Sequence, residues 1–182
     1  MMKKTLLILA AALSGVLAAG AQTGREWQDP AVNEINRLPM RSSFAAGERL
    51  SLDGVWKFHW VRNASERPSG IGAVDYDDAA WGSMPVPGMW ELNGYGDPVY
   101  VNIGYAWRGN FRNDPPYVPD AENHVGSYRR TFDIPASWGG KDIFLSIGSA
   151  TSNVYVWVNG RFVGYSEDSK LAAQFDITKF VK

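Results

Sequence analysis

Short segments in which apolar and polar residues alternate recur along the chain. In residues 52–61, Trp56, Phe58 and Trp60 alternate with polar side chains. Because successive side chains of a β-strand point to opposite faces, this pattern predicts a strand with one buried face.

The last third of the chain repeats the pattern, with turn residues between the segments. Residues 153–158 and 161–165 flank Asn159-Gly160, a pair suited to a type I′ turn because both central residues need a positive φ. The sequence therefore predicts a β-hairpin. The same alternation predicts two further strands, at residues 127–134 and 142–147.

Polar stretches that contain proline or glycine separate the predicted strands. Residues 62–80 predict a surface loop, and residues 22–50 predict an extended lead-in that wraps a neighbouring element. Beyond the apolar segment near the N-terminus, no window has a helical period. We therefore predict an all-β antiparallel sandwich over residues 51–182. Because residues 175–182 carry no turn signal, we expect a sandwich that is incomplete at its C-terminal end, in the front part of a longer protein.

Residues 1–21 have the pattern of a secretory signal peptide. Lys3 and Lys4 precede an apolar run too short to span a bilayer comfortably, and Ala19-Gly20-Ala21 forms a small-residue cleavage site. A short membrane anchor is the alternative, but no stop-transfer flank follows. We expect an exported protein, periplasmic or secreted, that leaves the membrane once the signal peptide is removed.

Composition narrows the classes of partner. The formal net charge of −1 at pH 7 gives no long-range field that would favour nucleic acid or an anionic membrane. The chain has no cysteine, so an exported product has no disulfides. Aromatic residues make up 13% of the sequence, which predicts a well-filled β core or exposed rings that stack on sugars.

The motifs of several enzyme classes are absent from the sequence. His59 and His124 lie far apart, and neither has a second His or a Cys at a metal-ligand spacing, so a transition-metal site is not expected. The sequence has no nucleophile elbow, P-loop or dinucleotide fingerprint. Nucleophilic catalysis by Ser or Cys therefore has no support in the sequence.

One carboxylate differs from the others by its position. Asp168 follows the predicted hairpin, where two strands can hold a loop side chain rigidly, and we expect it to bind a ligand. The other candidate acids are interpreted as solvated loop residues: Glu48, Asp75, Asp77, Asp78 and Glu167.

Residues 84–105 form a second unusual segment. They are rich in proline, glycine and aromatic residues but carry few charges, which is typical of a rigid wall that lines a cleft. Within this segment, Asn102 provides both a donor and an acceptor for a ligand hydroxyl.

Six ordered motifs together resemble the amino-terminal sugar-binding domain of glycoside hydrolase family 2, and in particular that of the large bacterial β-galactosidases. The resemblance runs from about Trp27 to the last residue. The motifs are PVPGMW (85–90), PVYVN (98–102), PPYVP (115–119), GSYRRTF (126–132), WVNG (157–160) and VGYSEDS (163–169), followed by FDI (175–177).

The resemblance implies a jelly-roll, galactose-binding-like sandwich that precedes immunoglobulin-like domains and a (β/α)8 barrel. The two catalytic glutamates of a retaining mechanism would lie on that barrel, so this chain holds no catalytic residue. By the same resemblance, Asn102 and Asp168 contact a terminal β-galactoside, and Asp168 also ligates a sodium ion. Magnesium in the barrel and a homo-oligomeric intact enzyme are compatible with it.

One position departs from the family pattern. Ala106 stands where these β-galactosidases usually have a proline, so the loop that carries Asn102 lacks a fixed φ there, and the substrate preference beyond a β-galactoside stays open. Two other interpretations remain: a stand-alone carbohydrate-binding module that does not cleave glycans, and another family 2 enzyme such as a β-glucuronidase or β-mannosidase.

Overall fold

The computed structural model describes residues 23–41, 47–98 and 114–181. The strands in these ranges are β1 (Glu34–Ile35), β2 (Gly54–Val61), β3 (Gly82–Val86), β4 (Val125–Arg129), β5 (Phe144–Ile147), β6 (Asn153–Val158), β7 (Arg161–Glu167) and β8 (Ala173–Asp176). Short 3₁₀ turns lie at Glu26–Gln28, Ala64–Glu66, Glu91–Asn93 and Ala136–Trp138. None of the helical turns in the described ranges is long and apolar enough to cross a bilayer.

The strands pair in three antiparallel sheets. Their orders are β3-β2-β4, β1-β7-β6 and β5-β8. The prediction of an all-β antiparallel fold is confirmed.

Strand β2 has the alternation that the sequence predicted. Phe58 is 1% exposed, whereas Lys57 beside it is exposed. β2 lies between β3 and β4, where Phe58 is the cross-strand partner of Tyr128. The Phe58 ring centroid lies 4.7 Å from those of both Tyr95 and Tyr128, so the buried face of β2 forms an aromatic cluster.

The hairpin between β6 and β7 is also confirmed. Asn159 has φ 50° and Gly160 has φ 80°, as a type I′ turn requires. The Asn159 side chain donates a hydrogen bond of 2.8 Å to the carbonyl of Phe180, which ties the turn to the end of the described chain.

The main hydrophobic core lies between this hairpin and the β5-β8 sheet. Val163 is 1% exposed, and Phe175 is fully buried. At Gly164 an added Cβ would lie 2.3 Å from the carbonyl oxygen of Ile35 and 2.8 Å from the Phe175 ring. The absence of a side chain at Gly164 therefore lets the backbone of β1 and the ring of Phe175 approach β7 together.

The lead-in contributes a strand that the sequence pattern did not predict. Glu34 pairs with Ser166, and Ile35 pairs with Tyr165. Further along, the N–H of Leu38 donates to the carbonyl of Gln174 at 2.8 Å. The segment 34–38 thus connects β7 to β8.

Several predicted boundaries differ from the structure. The strand predicted at 127–134 is β4, Val125–Arg129. Directly after it, the Arg130 side chain donates to the carbonyls of Leu52 and Asp53. Strands β3 and β8 were not predicted. The start of the segment interpreted as a cleft wall is β3, in which Met84 is fully buried, and Pro85 is tolerated there because β3 is an edge strand.

Candidate functional site

Asp168 lies directly after β7, at the predicted hairpin exit. Its side chain is exposed, and its φ of 117° is a conformation that L-residues rarely adopt. The backbone N–H of Asp168 donates to the carbonyl of Ser152 at 3.3 Å. The strand that precedes it and the neighbouring segment therefore define the backbone position of this residue.

The Asp168 carboxylate is held by the turn that follows it. Its Oδ1 accepts hydrogen bonds from the backbone N–H groups of Lys170 at 2.7 Å and Leu171 at 3.0 Å. These two bonds, with a smaller contribution from the positive charge of Arg37, lower the pKa of Asp168 below its ordinary value. The carboxylate is thus ionised at neutral pH and fixed through one oxygen.

The second oxygen of Asp168 is available to a ligand. Within the described part of the chain, Oδ2 accepts no hydrogen bond. An exposed carboxylate oxygen on a rigid turn can accept a hydrogen bond from a sugar hydroxyl or ligate a hard cation. Across residues 23–41, 47–98 and 114–181, no group of three His, Cys, Asp or Glu side chains converges on a metal position. A cation at Asp168 would therefore have this one carboxylate and would need other oxygens to complete its shell.

Arg37 of the lead-in contacts the same end of β7. Its Nη2 donates to the carboxylate of Glu34, and its Nη1 lies 3.4 Å from the Ser166 hydroxyl. The Arg37 side chain is 12% exposed. A largely buried cation thus lies near the end of β7, and the sequence pattern did not indicate it.

Two of the acids interpreted as solvated are partly buried and bonded within the protein, so that interpretation was wrong for them. Glu167 belongs to β7 and accepts a 2.6 Å hydrogen bond from the Tyr165 hydroxyl. Burial, and then this bond to the carboxylate, raise the pKa of Tyr165. Asp78 accepts a 2.9 Å bond from Nε of Arg129.

Asn102 lies outside the described residues, so its predicted ligand contact is not tested. The described residues before it pack on β2. At Gly96 an added Cβ would lie 3.4 Å from the Trp60 ring and 3.6 Å from Nδ1 of His124. Trp60 and His124 therefore support the chain a few residues before the predicted contact.

An open cavity of about 2990 Å³ is lined by residues of several strands and loops. Its lining includes Val154 and Val156 of β6 and Tyr128 of β4. Neither Asp168 nor Arg37 is among the described residues that line it. Small-molecule sites usually measure about 300–1,000 Å³, so we define no ligand site from this cavity.

Comparison with known protein families gives a direct result. The model for "Glycosyl hydrolases family 2, sugar binding domain" matches residues 50–182. The chain belongs to glycosyl hydrolase family 2. The resemblance seen in the sequence motifs is confirmed, and strands β2 to β8 lie within the residues that match the sugar-binding domain.

Curated relatives of this family 2 chain are β-galactosidases. It is 40% identical to a β-galactosidase of Halalkalibacterium halodurans over 166 residues, covering 84% of this chain and 16% of the relative. It is 42% identical to a β-galactosidase of Priestia megaterium, covering 72% of this chain and 13% of the relative. A β-galactosidase large subunit of Leuconostoc lactis is 35% identical, with 88% and 30% covered. The chain thus spans less than a third of each of these relatives.

Solved structures show the same fold at lower identity. A β-glycosidase from Bacteroides vulgatus superposes with a TM-score of 0.53 at 21% identity, covering 75% of this chain and 16% of that one. A Bacteroides uniformis β-glucuronidase gives a TM-score of 0.51 at 21% identity, with 73% and 13% covered. These similarities support the fold of the family 2 sugar-binding domain.

Proposed function

We propose that this domain supplies substrate contacts to an exported, retaining β-galactosidase that hydrolyses terminal β-galactosides. The catalytic acid/base and nucleophile would be two glutamates on a downstream barrel domain. Membership of family 2 supports glycoside hydrolysis, and the names of the curated relatives support a galactoside as substrate.

The observation that carries the proposal is the state of Asp168. Its carboxylate is exposed and ionised, and one oxygen is fixed by two backbone N–H groups while the other is left for a ligand. A carboxylate held in this way costs little further ordering when a sugar binds. It is therefore well suited to recognise a sugar hydroxyl.

In this proposal Asp168 binds and orients the galactose ring without taking part in bond cleavage. Oδ2 accepts a hydrogen bond from a ring hydroxyl, and Asn102 contacts the same sugar. A sodium ion held by Asp168 would supply a positive charge that organises hydroxyl oxygens around it. Magnesium would belong to the barrel domain and not to this chain.

The test uses the full-length gene product and one matched pair of variants. Asp168→Asn keeps an oxygen that can accept from Lys170 and Leu171 but removes the charge. We expect kcat/KM on an aryl β-galactoside to fall by at least about 10-fold, as when an interaction with the transition state is lost. An unchanged kcat/KM would refute the role of Asp168.

Asp176→Asn is the control. Asp176 is the last residue of β8, and its Oδ1 accepts from the N–H of Thr178 at 2.9 Å, so the same chemical change is made at a strand end that also leads into a turn. We expect kcat/KM to stay within about 2-fold of wild type, because surface substitutions away from a binding site or the core usually have small effects. A fall equal to that of Asp168→Asn would indicate a general loss of folding.

The same preparation separates the alternatives. Turnover of an aryl β-glucuronide in preference to the β-galactoside would favour a β-glucuronidase. Glycan binding by the gene product without any turnover, together with a stop codon directly after Lys182, would favour a stand-alone binding module.

A further inference from the structure

Arg37 has an environment that a purely structural arginine rarely has. Its side chain is 12% exposed, and its Nε is buried and has no hydrogen-bond partner among the described residues. A buried donor without a partner costs free energy, so buried polar groups are nearly always paired. The unpaired Nε therefore carries a free-energy cost at this position.

The remaining contacts of Arg37 tie it to the strand that carries Asp168. Nη2 donates to Glu34 and Nη1 to Ser166, and these two residues are cross-strand partners in β1 and β7. The ladder continues one residue further, where the N–H of Glu167 donates to the carbonyl of Asn33 at 3.0 Å. The guanidinium thus joins the lead-in to β7 two residues before Asp168.

The charge of Arg37 also reaches Asp168. Its positive charge contributes, after the two backbone hydrogen bonds, to the stabilisation of the ionised carboxylate. Because Oδ1 of Asp168 is already occupied by the turn, a ligand contacts the remaining oxygen. The orientation of that oxygen depends on how the end of β7 is held.

We propose that Arg37 is a positioning residue for Asp168 in the sugar site. The inference rests on the proposed function, in which Asp168 binds the sugar. Arg37 holds β1 against the last residues of β7, so that Oδ2 of Asp168 is kept in one orientation. Since Arg37 touches no reacting atom, its loss weakens sugar binding and leaves the chemical step largely intact.

The first measurement compares neutral and charged replacements in the full-length protein. Arg37→Gln is expected to raise KM for an aryl β-galactoside by at least about 5-fold, with kcat within about 3-fold of wild type. A change of this size is typical of the coupling between neighbouring residues. Arg37→Lys keeps the charge but loses the planar set of guanidinium donors. We therefore expect its KM to lie between those of wild type and Arg37→Gln. An unchanged KM in Arg37→Gln overturns the proposal.

Arg161→Gln is the matched control. Arg161 begins β7 at its opposite end, where Nη1 donates to the carbonyl of Lys179 at 2.9 Å. The same substitution there removes a charge and a backbone hydrogen bond far from Asp168. We expect KM to be unchanged; an equal rise in both variants means that any destabilisation of β7 raises KM, and this also overturns the proposal.

A double-mutant cycle tests whether Arg37 acts through Asp168. In the Asp168→Asn background, Arg37→Gln is expected to add no further rise in KM, because the group that it positions has lost its charge. Additive rises mean that Arg37 acts by another route. Calorimetric titration with a non-hydrolysable thiogalactoside gives the same comparison as a dissociation constant, independent of turnover.

These variants distinguish a failure of the proposed function from a failure of the role of Arg37 alone. If Asp168→Asn leaves galactoside binding unchanged, the proposed function fails together with this inference. If Asp168→Asn weakens binding and Arg37→Gln does not, only the role of Arg37 fails. Should Arg37→Gln not fold, Glu34→Gln takes its place, because it weakens the hold on the guanidinium without removing the charge of Arg37. We expect a smaller rise in KM. An unchanged KM overturns the proposal.

Discussion

The phenolic oxygen of Tyr155 lies 2.7 Å from Oε2 of Glu26, 129 residues earlier in the chain. Glu26 is 4% exposed, and its other oxygen accepts from the N–H of Thr23 at 2.5 Å and from the Thr23 hydroxyl at 3.1 Å. Burial alone would raise the pKa of Glu26, but the hydrogen bonds from Tyr155 and Thr23 together hold it below its ordinary value. This bond fastens the lead-in to β6.

Removing the tyrosine hydroxyl should weaken the folded state. Tyr155→Phe leaves a buried carboxylate with one donor fewer, which costs about 1 to 3 kcal/mol of the free energy of unfolding. Urea unfolding of the chain measures the change. Tyr117→Phe is the control, because Tyr117 is 54% exposed, and a change within about 0.5 kcal/mol is expected there. Equal effects of the two variants would contradict the anchoring role of Tyr155.

The same carboxylate should make stability depend on pH. The pKa of Glu26 is lowered in the folded chain from 4.5, so the unfolded state binds its proton at a higher pH. The stabilisation is therefore fully present above about pH 4.5 and is lost as the pH falls through the folded-state pKa.

The measurement is a series of urea titrations between neutral pH and about pH 3. Asp168 and Asp176 also have lowered pKa values, so the wild-type curve reports several groups. The difference between wild type and Glu26→Gln isolates Glu26. We expect this difference to shrink as the pH falls; a difference that is constant with pH would show that Glu26 does not titrate with folding.

A methyl group at Gly164 should disrupt the contact between β1, β7 and β8. An added Cβ would meet the Ile35 carbonyl and the Phe175 ring at distances that real Cβ atoms do not show. Gly164→Ala is therefore expected to lower the free energy of unfolding by about 1 to 3 kcal/mol through overpacking. Gly148→Ala is the matched control, since nothing lies within 4 Å of its added Cβ. Thermal unfolding compares the two, and equal melting temperatures would contradict the close packing.

The backbone conformation of Asp168 should lower the stability of variants that carry an L-residue without a carboxylate there. At φ 117° glycine is far less strained than alanine. Asp168→Gly and Asp168→Ala both lose the carboxylate, so the difference in their stability reports the backbone alone. We expect the Gly variant to unfold about 2 to 4 °C higher than the Ala variant. A lower melting temperature for Gly would mean that the backbone relaxes away from this conformation without its side chain.

Both of these variants should lose activity to the same extent in the full-length protein. Neither has an oxygen at the position of Oδ2, so sugar binding is weakened in both, whatever the backbone strain. A Gly variant that kept wild-type kcat/KM would show that Asp168 serves the turn and not the substrate.

The sequence predicted best those elements whose signal is local. β2, β5 and the β6-β7 hairpin were found because side chains alternate within each strand and because Asn159-Gly160 favours the required turn. β1 and β8 were missed because β1 has only two residues, Glu34–Ile35, and both strands are defined by their pairing partners. β3 was missed because residues 84–105 were interpreted as a wall that lines a cleft, whereas the structure accommodates Pro85 on an edge strand.

The sequence by itself determined the all-β class, the hairpin, the family resemblance and the position of Asp168 after the hairpin, since each depends on residues that are neighbours along the chain. Tertiary structure alone decided that Glu26 meets Tyr155 and that Arg37 meets Ser166, in each case across 129 residues. The physical reason is that such pairs exist only after strands from distant parts of the chain have packed together. The alternation of side chains indicates which face of a strand is buried. It does not indicate which other strand or segment packs against that face.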